Sequence, residues 1–235
     1  LVSRGYEVSV ASWDYGQHDG EMVAGARMFT MFHPDAGLPV LRAFHPRMTG
    51  YWAALKKADA DIYYQRSASM LTGLVAAYCR LHGKRSIYAG ASDPDFQPGK
   101  EKIKASWYRA MYRHGLRRVD RIVVQREAQL QAVATQYGRQ AIWIPSIFEP
   151  GPGPMATTAN KMVLWCGMHR QVKRPELLVE LARRMPEVQF RMVGGAVASP
   201  EGRETFRAIK AMAETVPNLQ LDGFLDFDAA DALYP

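Results

Sequence analysis

The chain has 235 residues, 48% of them apolar and 23% charged, with a formal net charge of +7. That balance describes a soluble globular chain able to bury real cores, and it excludes a disordered or collagen-like one. No apolar run approaches a membrane span, and the only two cysteines, Cys79 and Cys166, stand far apart in apolar contexts. Buried thiols in a reducing cytoplasm are therefore expected, not a disulfide. The six histidines form no HxxxH or Cys/His cluster, so a structural metal is not expected; no cofactor is expected either. The positive charge favours an anionic partner, which could be nucleic acid, a lipid surface or a phosphorylated substrate.

Leu1 to Gly5 reads as the last turn of a helix closed by glycine, followed by a strand from Tyr6 to Ala11. A polar loop from Trp13 to Gly20, a strand from Ala26 to Phe32 and a loop from Pro34 to Pro46 come next. Met48 to Ala58 reads as a helix, and Ile62 to Tyr64 as a strand that delivers Gln65 and Arg66 to a loop. Ser67 or Ser69 caps a helix running to Gly83, and Lys84 to Ala89 is a further strand. This alternation predicts a parallel sheet with helices on both faces.

The strand ends in the turn Gly90-Ala91-Ser92-Asp93-Pro94-Asp95, where open α/β sheets place their ligands. Ser-Asp-Pro-Asp is also plain turn chemistry, and both readings stay open. Gly99 to Arg121 is rich in Lys and Arg interleaved with aromatic and aliphatic residues. On a helix, Lys102, Arg109, Arg113 and Arg117 share one side, while Ile103, Trp107, Ala110 and Met111 share another. This is either a solvated face over a core stripe or a contact with anionic lipid on the inner face of the cell membrane. No nucleic-acid signature accompanies the charge, so no nucleic-acid partner is expected. A strand from Val119 to Gln125, a helix from Arg126 to Tyr137 closed by Gly138, and a strand from Ala141 to Ile144 complete this half. The Pro/Gly/Thr-rich stretch that follows sets a first domain at 1–148, a linker at 149–160 and a second domain at 161–235.

The second domain opens with an apolar strand, Met162 to Cys166, ended by Gly167 and a basic loop. Pro175 stands at a first helical position, Glu176 suits the helix dipole, and Leu177, Leu178, Leu181, Ala182 and Met185 recur at helical spacing. Pro186 stops the helix; Val188, Phe190 and Met192 alternate with polar residues and run into Gly194-Gly195. A strand, basic loop, helix, strand unit puts the loop and its helix start at the carboxyl edge of a parallel sheet, where free N–H groups favour an anion. Lys173 and Arg174 add charge there, although solvated residues on an ordinary crossover would read the same way. A helix from Glu201 to Val216, a strand from Leu219 to Leu221, the turn Asp222-Gly223-Phe224 and a helix from Asp226 to Tyr234 follow.

The string KMVLWCGMHRQVKRPELL resembles the donor-site signature of the retaining glycosyltransferases of family 4, through Gly167, Lys173, Pro175, Glu176 and the Leu177-Leu178 pair. VDRIVVQREAQLQAVATQYGRQAIWIPS, Ser92-Asp93-Pro94-Asp95 and Gly223-Phe224 are similar to further passages of that family. The resemblance implies the GT-B fold, an α/β arrangement of two Rossmann-like domains facing across a cleft. Both domains would be incomplete, the first strand and the acidic E-x7-E segment not being found within the sequence. It implies transfer of a sugar from a nucleotide-diphosphate sugar to a hydroxyl with retained configuration, in polysaccharide, lipopolysaccharide or glycolipid synthesis and with no metal at the diphosphate. The enzyme would be cytoplasmic or peripheral on the membrane, and the residues present would be inactive alone. Lys173 would meet the diphosphate. Arg170 would stand in for the family's arginine, whose place is taken by Met168, and Asp93 would orient the acceptor. Gly167, Arg174, Gly194, Gly195, Gly223 and Phe224 would line the nucleotide. Alternatives are a nucleotide-sugar epimerase of the same fold and a non-catalytic basic binding module. An NAD-dependent oxidoreductase lacks its G-x-G-x-x-G here.

Overall fold

The computed structural model describes residues 1–14, 16–38, 41, 43–146, 162–225 and 229. The chain divides into two compact units, Leu1–Ile147 and Phe148–Pro235. All of the proposed linker, 149–160, and all but Ala229 of the helix expected over Asp226 to Tyr234 lie outside the described residues.

The first unit holds two sheets where one was expected. In the smaller, β1 (Val8–Ser12) and β3 (Ala26–Thr30) pair in parallel, and β2 (Met22–Val23) folds back antiparallel on β3. The two-residue β2 is too short to carry a period, which is why the pattern missed it. The larger sheet is wholly parallel, in the order β4 (Ile62–Arg66), β5 (Arg85–Ala89), β6 (Arg121–Val124), β7 (Ile142–Trp143). Its crossover helices are α2 (Leu71–His82), α3 (Ser106–Leu116) and α4 (Glu127–Tyr137), with α1 (Thr49–Ala58) leading into β4. Ser69, not Ser67, caps α2, its hydroxyl accepting from the Leu71 N–H at 3.2 Å. Helices α2 and α3 touch backbone to backbone. A Cβ on Gly73 would lie 2.5 Å from the Met111 carbonyl oxygen, and one on Gly115 2.6 Å from the Gly73 nitrogen. Tyr88, Phe96, Tyr112, Leu116, Ile122, Val124 and Val133 fill the core between these layers.

The second unit is a parallel sheet in the order β10 (Leu219–Gly223), β9 (Gln189–Val193), β8 (Met162–Cys166), crossed by α5 (Pro175–Arg184) and α6 (Pro200–Ala213). Phe190 and Met192 are buried as the alternation requires. The buried face of α5 is Leu178, Val179 and Ala182, so Leu177, Leu181 and Met185 are exposed, a rotation of the stripe by one position. Cys79 is buried in α2, its thiol pushed up to about 11 by that burial and by Asp120. Contrary to expectation, Cys166 is exposed, because it ends β8.

One buried amide holds the second unit's loops. The Asn218 Nδ2 donates to the carbonyls of Ala182, Met185 and Val188 at 3.0, 2.9 and 2.8 Å, closing the end of α5 and the turn into β9. Asn218→Leu should destabilise this unit by about 2–3 kcal/mol, since the carbonyls lose their donor inside the protein. Urea denaturation would read the shift; an unchanged midpoint would mean that water reaches those carbonyls.

Candidate functional site

In the second unit the three strand ends are knitted together by backbone. The Gly167 N–H donates to the Val193 carbonyl at 2.9 Å, and the Gly194 N–H to the Gly223 carbonyl at 2.7 Å. Gly194 has φ 143°, and a Cβ there would lie 1.8 Å from the Gly167 carbonyl oxygen, so only glycine fits. Gly195 lies against the Phe224 side chain, which is otherwise exposed. Gly167, Gly194, Gly195, Gly223 and Phe224 thus share one carboxyl edge, and the structure gives Gly194 a packing duty in addition to any approach of a ligand.

Beneath this edge lies His169, which the sequence reading passed over. Its ring is fully buried, with Nδ1 donating to the Gly195 carbonyl at 3.3 Å and Nε2 3.1 Å from the Met192 sulfur. Trp165 and Phe206 flank it at ring-centre distances of 5.2 and 5.0 Å. Burial holds its pKa below the ordinary histidine value, so the ring is neutral packing that shapes the loop after Gly167.

That loop turns through a short 3-10 segment, Gln171–Lys173, directly into α5. Lys173 is exposed, and among the described residues its ammonium has no partner. Arg174 takes a left-handed conformation, φ 49°, and its guanidinium is engaged with Glu176 at 2.9 Å. Glu176 is held below the usual carboxylate range by that contact and by its own N–H. Here the structure corrects the expectation of a helix terminus with free donors. Pro175 has no N–H, Glu176 covers its own, and the Leu177 N–H donates to the Arg174 carbonyl at 3.1 Å. The positive charge of this loop that has no partner among the described residues is carried by the Arg170 and Lys173 side chains, both exposed. Arg170 lines a cavity of about 760 Å³ between this loop and α6, together with His169, Gln171, Glu176, Glu204 and Thr205; Lys173 is not part of its lining.

In the first unit, Asp93 opens a 3-10 turn, Asp93–Phe96, with Ser92 and Asp95 forming a capping box. Asp95 is buried and structural, accepting from the Ala91 N–H and the Ser92 hydroxyl at 2.8 Å each. Asp93 is more open. Its Oδ2 accepts from Arg126 Nη1 at 2.7 Å and its Oδ1 from Gln129 Nε2 at 2.9 Å, so the carboxylate is fixed at the carboxyl edge of β5.

The expected basic helix face is corrected. Helix α3 begins at Ser106, so Lys102 precedes it, and two of the remaining arginines point at a buried acid. Arg113 binds Glu101 through Nε and Nη2 at 2.6 and 3.0 Å, and Arg109 Nη2 donates to the Ile103 carbonyl at 2.9 Å. Arg117 lies over the Tyr137 ring at 5.8 Å. Burial of Glu101 was not legible from charge spacing alone. Among the described residues, no helix is long and apolar enough to cross a membrane, and no group of three or more His, Cys, Asp or Glu could hold a metal ion.

No protein-family model matches the chain, and no curated protein matches it. Among solved structures it is similar to sucrose-phosphate synthase from Thermosynechococcus elongatus, with a TM-score of 0.70 and 16% identity over 96% of this chain and 62% of that one. It is also similar to Anabaena HepE in complex with UDP and glucose, with a TM-score of 0.60 and 12% identity over 86% of this chain and 57% of that one. The chain spans less than two thirds of the length of either structure. The likeness gives the fold: both units are Rossmann-like α/β units of the GT-B class.

Proposed function

We propose that this chain belongs to a glycosyltransferase that moves a sugar from a nucleotide-diphosphate sugar to a hydroxyl acceptor, with retention, in the manner of family 4. The observation that carries the reading is the exposed ammonium of Lys173, without a partner among the described residues, in the loop that leaves the carboxyl end of β8 and enters α5. Charge grows on the leaving diphosphate as the glycosidic bond breaks, and a fixed cation there stabilises the transition state. HepE, a protein of the same fold, is in complex with UDP and glucose, which agrees with a nucleotide-sugar ligand. Arg170, beside the neighbouring cavity, supplies a second cation once a ligand draws its side chain across.

Calorimetric titration of UDP-, GDP- and ADP-sugars into the protein is the test. One of the three should bind, and Lys173→Ala should weaken it at least about tenfold, the worth of one charge-assisted contact. Equal affinity in the variant would remove the assignment. Arg174→Ala should have a much smaller effect, because its guanidinium is already engaged with Glu176.

A further inference from the structure

The face of α6 that lines the cavity of about 760 Å³ changes character along its length. Ser199 caps the helix, its hydroxyl accepting from the Gly202 N–H at 3.0 Å. Glu201, Glu204 and Thr205 follow in the first two turns, and Ala208, Ile209 and Met212 in the later ones; all six line the cavity. These positions recur at three and four residues, so a single helical face runs along the hollow for about 16 Å at 1.5 Å per residue. One end is charged and the other apolar. At the apolar end Arg183, in the last turn of α5, donates through Nη2 to the Thr215 hydroxyl at 2.9 Å and the Met212 carbonyl at 3.4 Å, tying the two helices together. Arg170 and Glu176 complete the charged end.

Two of these charges are already engaged, Glu176 by Arg174 and Glu201 by a partner of its own. Arg170 and Glu204 are exposed and have no partner among the described residues, so a free cation and a free anion face the same hollow. A diphosphate does not suit this place, because the glutamates repel it. A ligand with both charges at one end and an apolar body at the other does. A guanidinium grips a carboxylate through two parallel N–H groups, and a carboxylate accepts from an ammonium. An apolar tail lying along α6 leaves water against Ile209 and Met212, which is favourable in proportion to the area covered. The mixture of an apolar wall with a few placed polar groups is that of a small-molecule site.

We propose that the hollow between the Arg170 loop and α6 binds a free α-amino acid with an apolar side chain, its carboxylate on Arg170, its ammonium on Glu204 and its side chain along α6 toward Ile209 and Met212. The binding does not depend on the glycosyltransferase reading above. On that reading, Arg170 cannot hold the amino acid and the diphosphate at once, so occupancy of the hollow weakens donor binding, and the donor weakens the amino acid equally.

The test is saturation-transfer NMR on the full chain, without nucleotide, using L-leucine, L-methionine and L-phenylalanine at millimolar concentration. At least one should receive saturation, strongest at its side-chain protons. For phenylalanine as the ligand, 2-phenylethylamine lacks the carboxylate and 3-phenylpropanoate lacks the ammonium, and each should bind more than about fivefold more weakly. Glycine, with no tail, should not bind. Arg170→Ala and Glu204→Gln, both at exposed positions, should each weaken binding by a similar factor, and Ala208→Trp, also exposed, should block it by filling the hollow. Absence of transfer to all three amino acids overturns the proposal, as does transfer that is unchanged in Ala208→Trp or in both charge variants, or an analogue lacking one charge that binds as well as its parent. Lys173→Ala should leave the transfer intact, so failure of nucleotide-sugar binding and failure of this site are read separately. Nucleotide-sugar affinity should fall severalfold at saturating amino acid, and an unchanged affinity overturns the competition for Arg170.

Discussion

Gly194→Ala is expected to destabilise the second unit by at least about 4 kcal/mol, within the range reserved for buried overlap combined with backbone strain. The added methyl would stand 1.8 Å from the Gly167 carbonyl oxygen, a backbone atom that cannot rotate away, and φ 143° is a conformation L residues rarely adopt. Relief requires the ends of β8 and β9 to part, which breaks the Gly167 to Val193 and Gly194 to Gly223 hydrogen bonds. Gly223 is the internal control. It also has positive φ, 77°, but nothing lies within 4 Å of the site of its Cβ, so Gly223→Ala should cost only about 1–2 kcal/mol, the left-handed penalty. Hydrogen exchange resolved by peptide would separate the two. In Gly194→Ala, amides of β8, β9 and β10 should exchange much faster, while those of β4, β5 and β6 keep their protection. Equal protection in both variants would show that the strand ends yield cheaply, and the packing duty assigned to Gly194 would fall.

That close approach also marks the limit of what the sequence disclosed. The strand, loop, helix, strand order of the second unit was readable because Met162 to Cys166, the Pro175 helix start and the alternation of Phe190 and Met192 each follow a local rule. Gly194-Gly195 was readable as a turn, but its contact with Gly167 joins residues far apart in sequence, and no local pattern encodes it. In the same way Asp93 could be singled out by position, whereas Arg126 and Gln129 join it only when strand ends are set side by side. The basic run after Gly99 misled for the opposite reason. Its periodicity was extended back to Lys102 across a stretch that is not helical, and one acid among many cations, Glu101, proved to organise them.

Glu101→Gln is expected to cost the first unit about 3–5 kcal/mol, the range for breaking a buried pair on one side. The Glu101 side chain is wholly shielded from solvent, and its carboxylate receives two hydrogen bonds from Arg113 and one from the Gly99 N–H at 2.7 Å. Arg109 Nε stands at 4.0 Å, too far for a hydrogen bond, but close enough to lose by the change. The amide keeps one accepting oxygen, but its other end offers N–H groups toward donors and leaves the guanidinium charge half-buried without a counterion. Burial by itself would raise the carboxyl's pKa; the Arg113 and Gly99 donors outweigh it, and the net displacement is downward. An acid depressed in the folded state contributes stability above its unfolded value, near 4.3, and that contribution disappears as the pH falls through the folded value. The gap between the protein and Glu101→Gln, measured by urea denaturation, should therefore be full at pH 7 and narrow below about pH 4. A gap that stayed constant into acid would assign the loss to packing instead of charge. Replacing both partners, as Glu101→Leu with Arg113→Met, should recover most of the stability, because no charge is then left without its counterion.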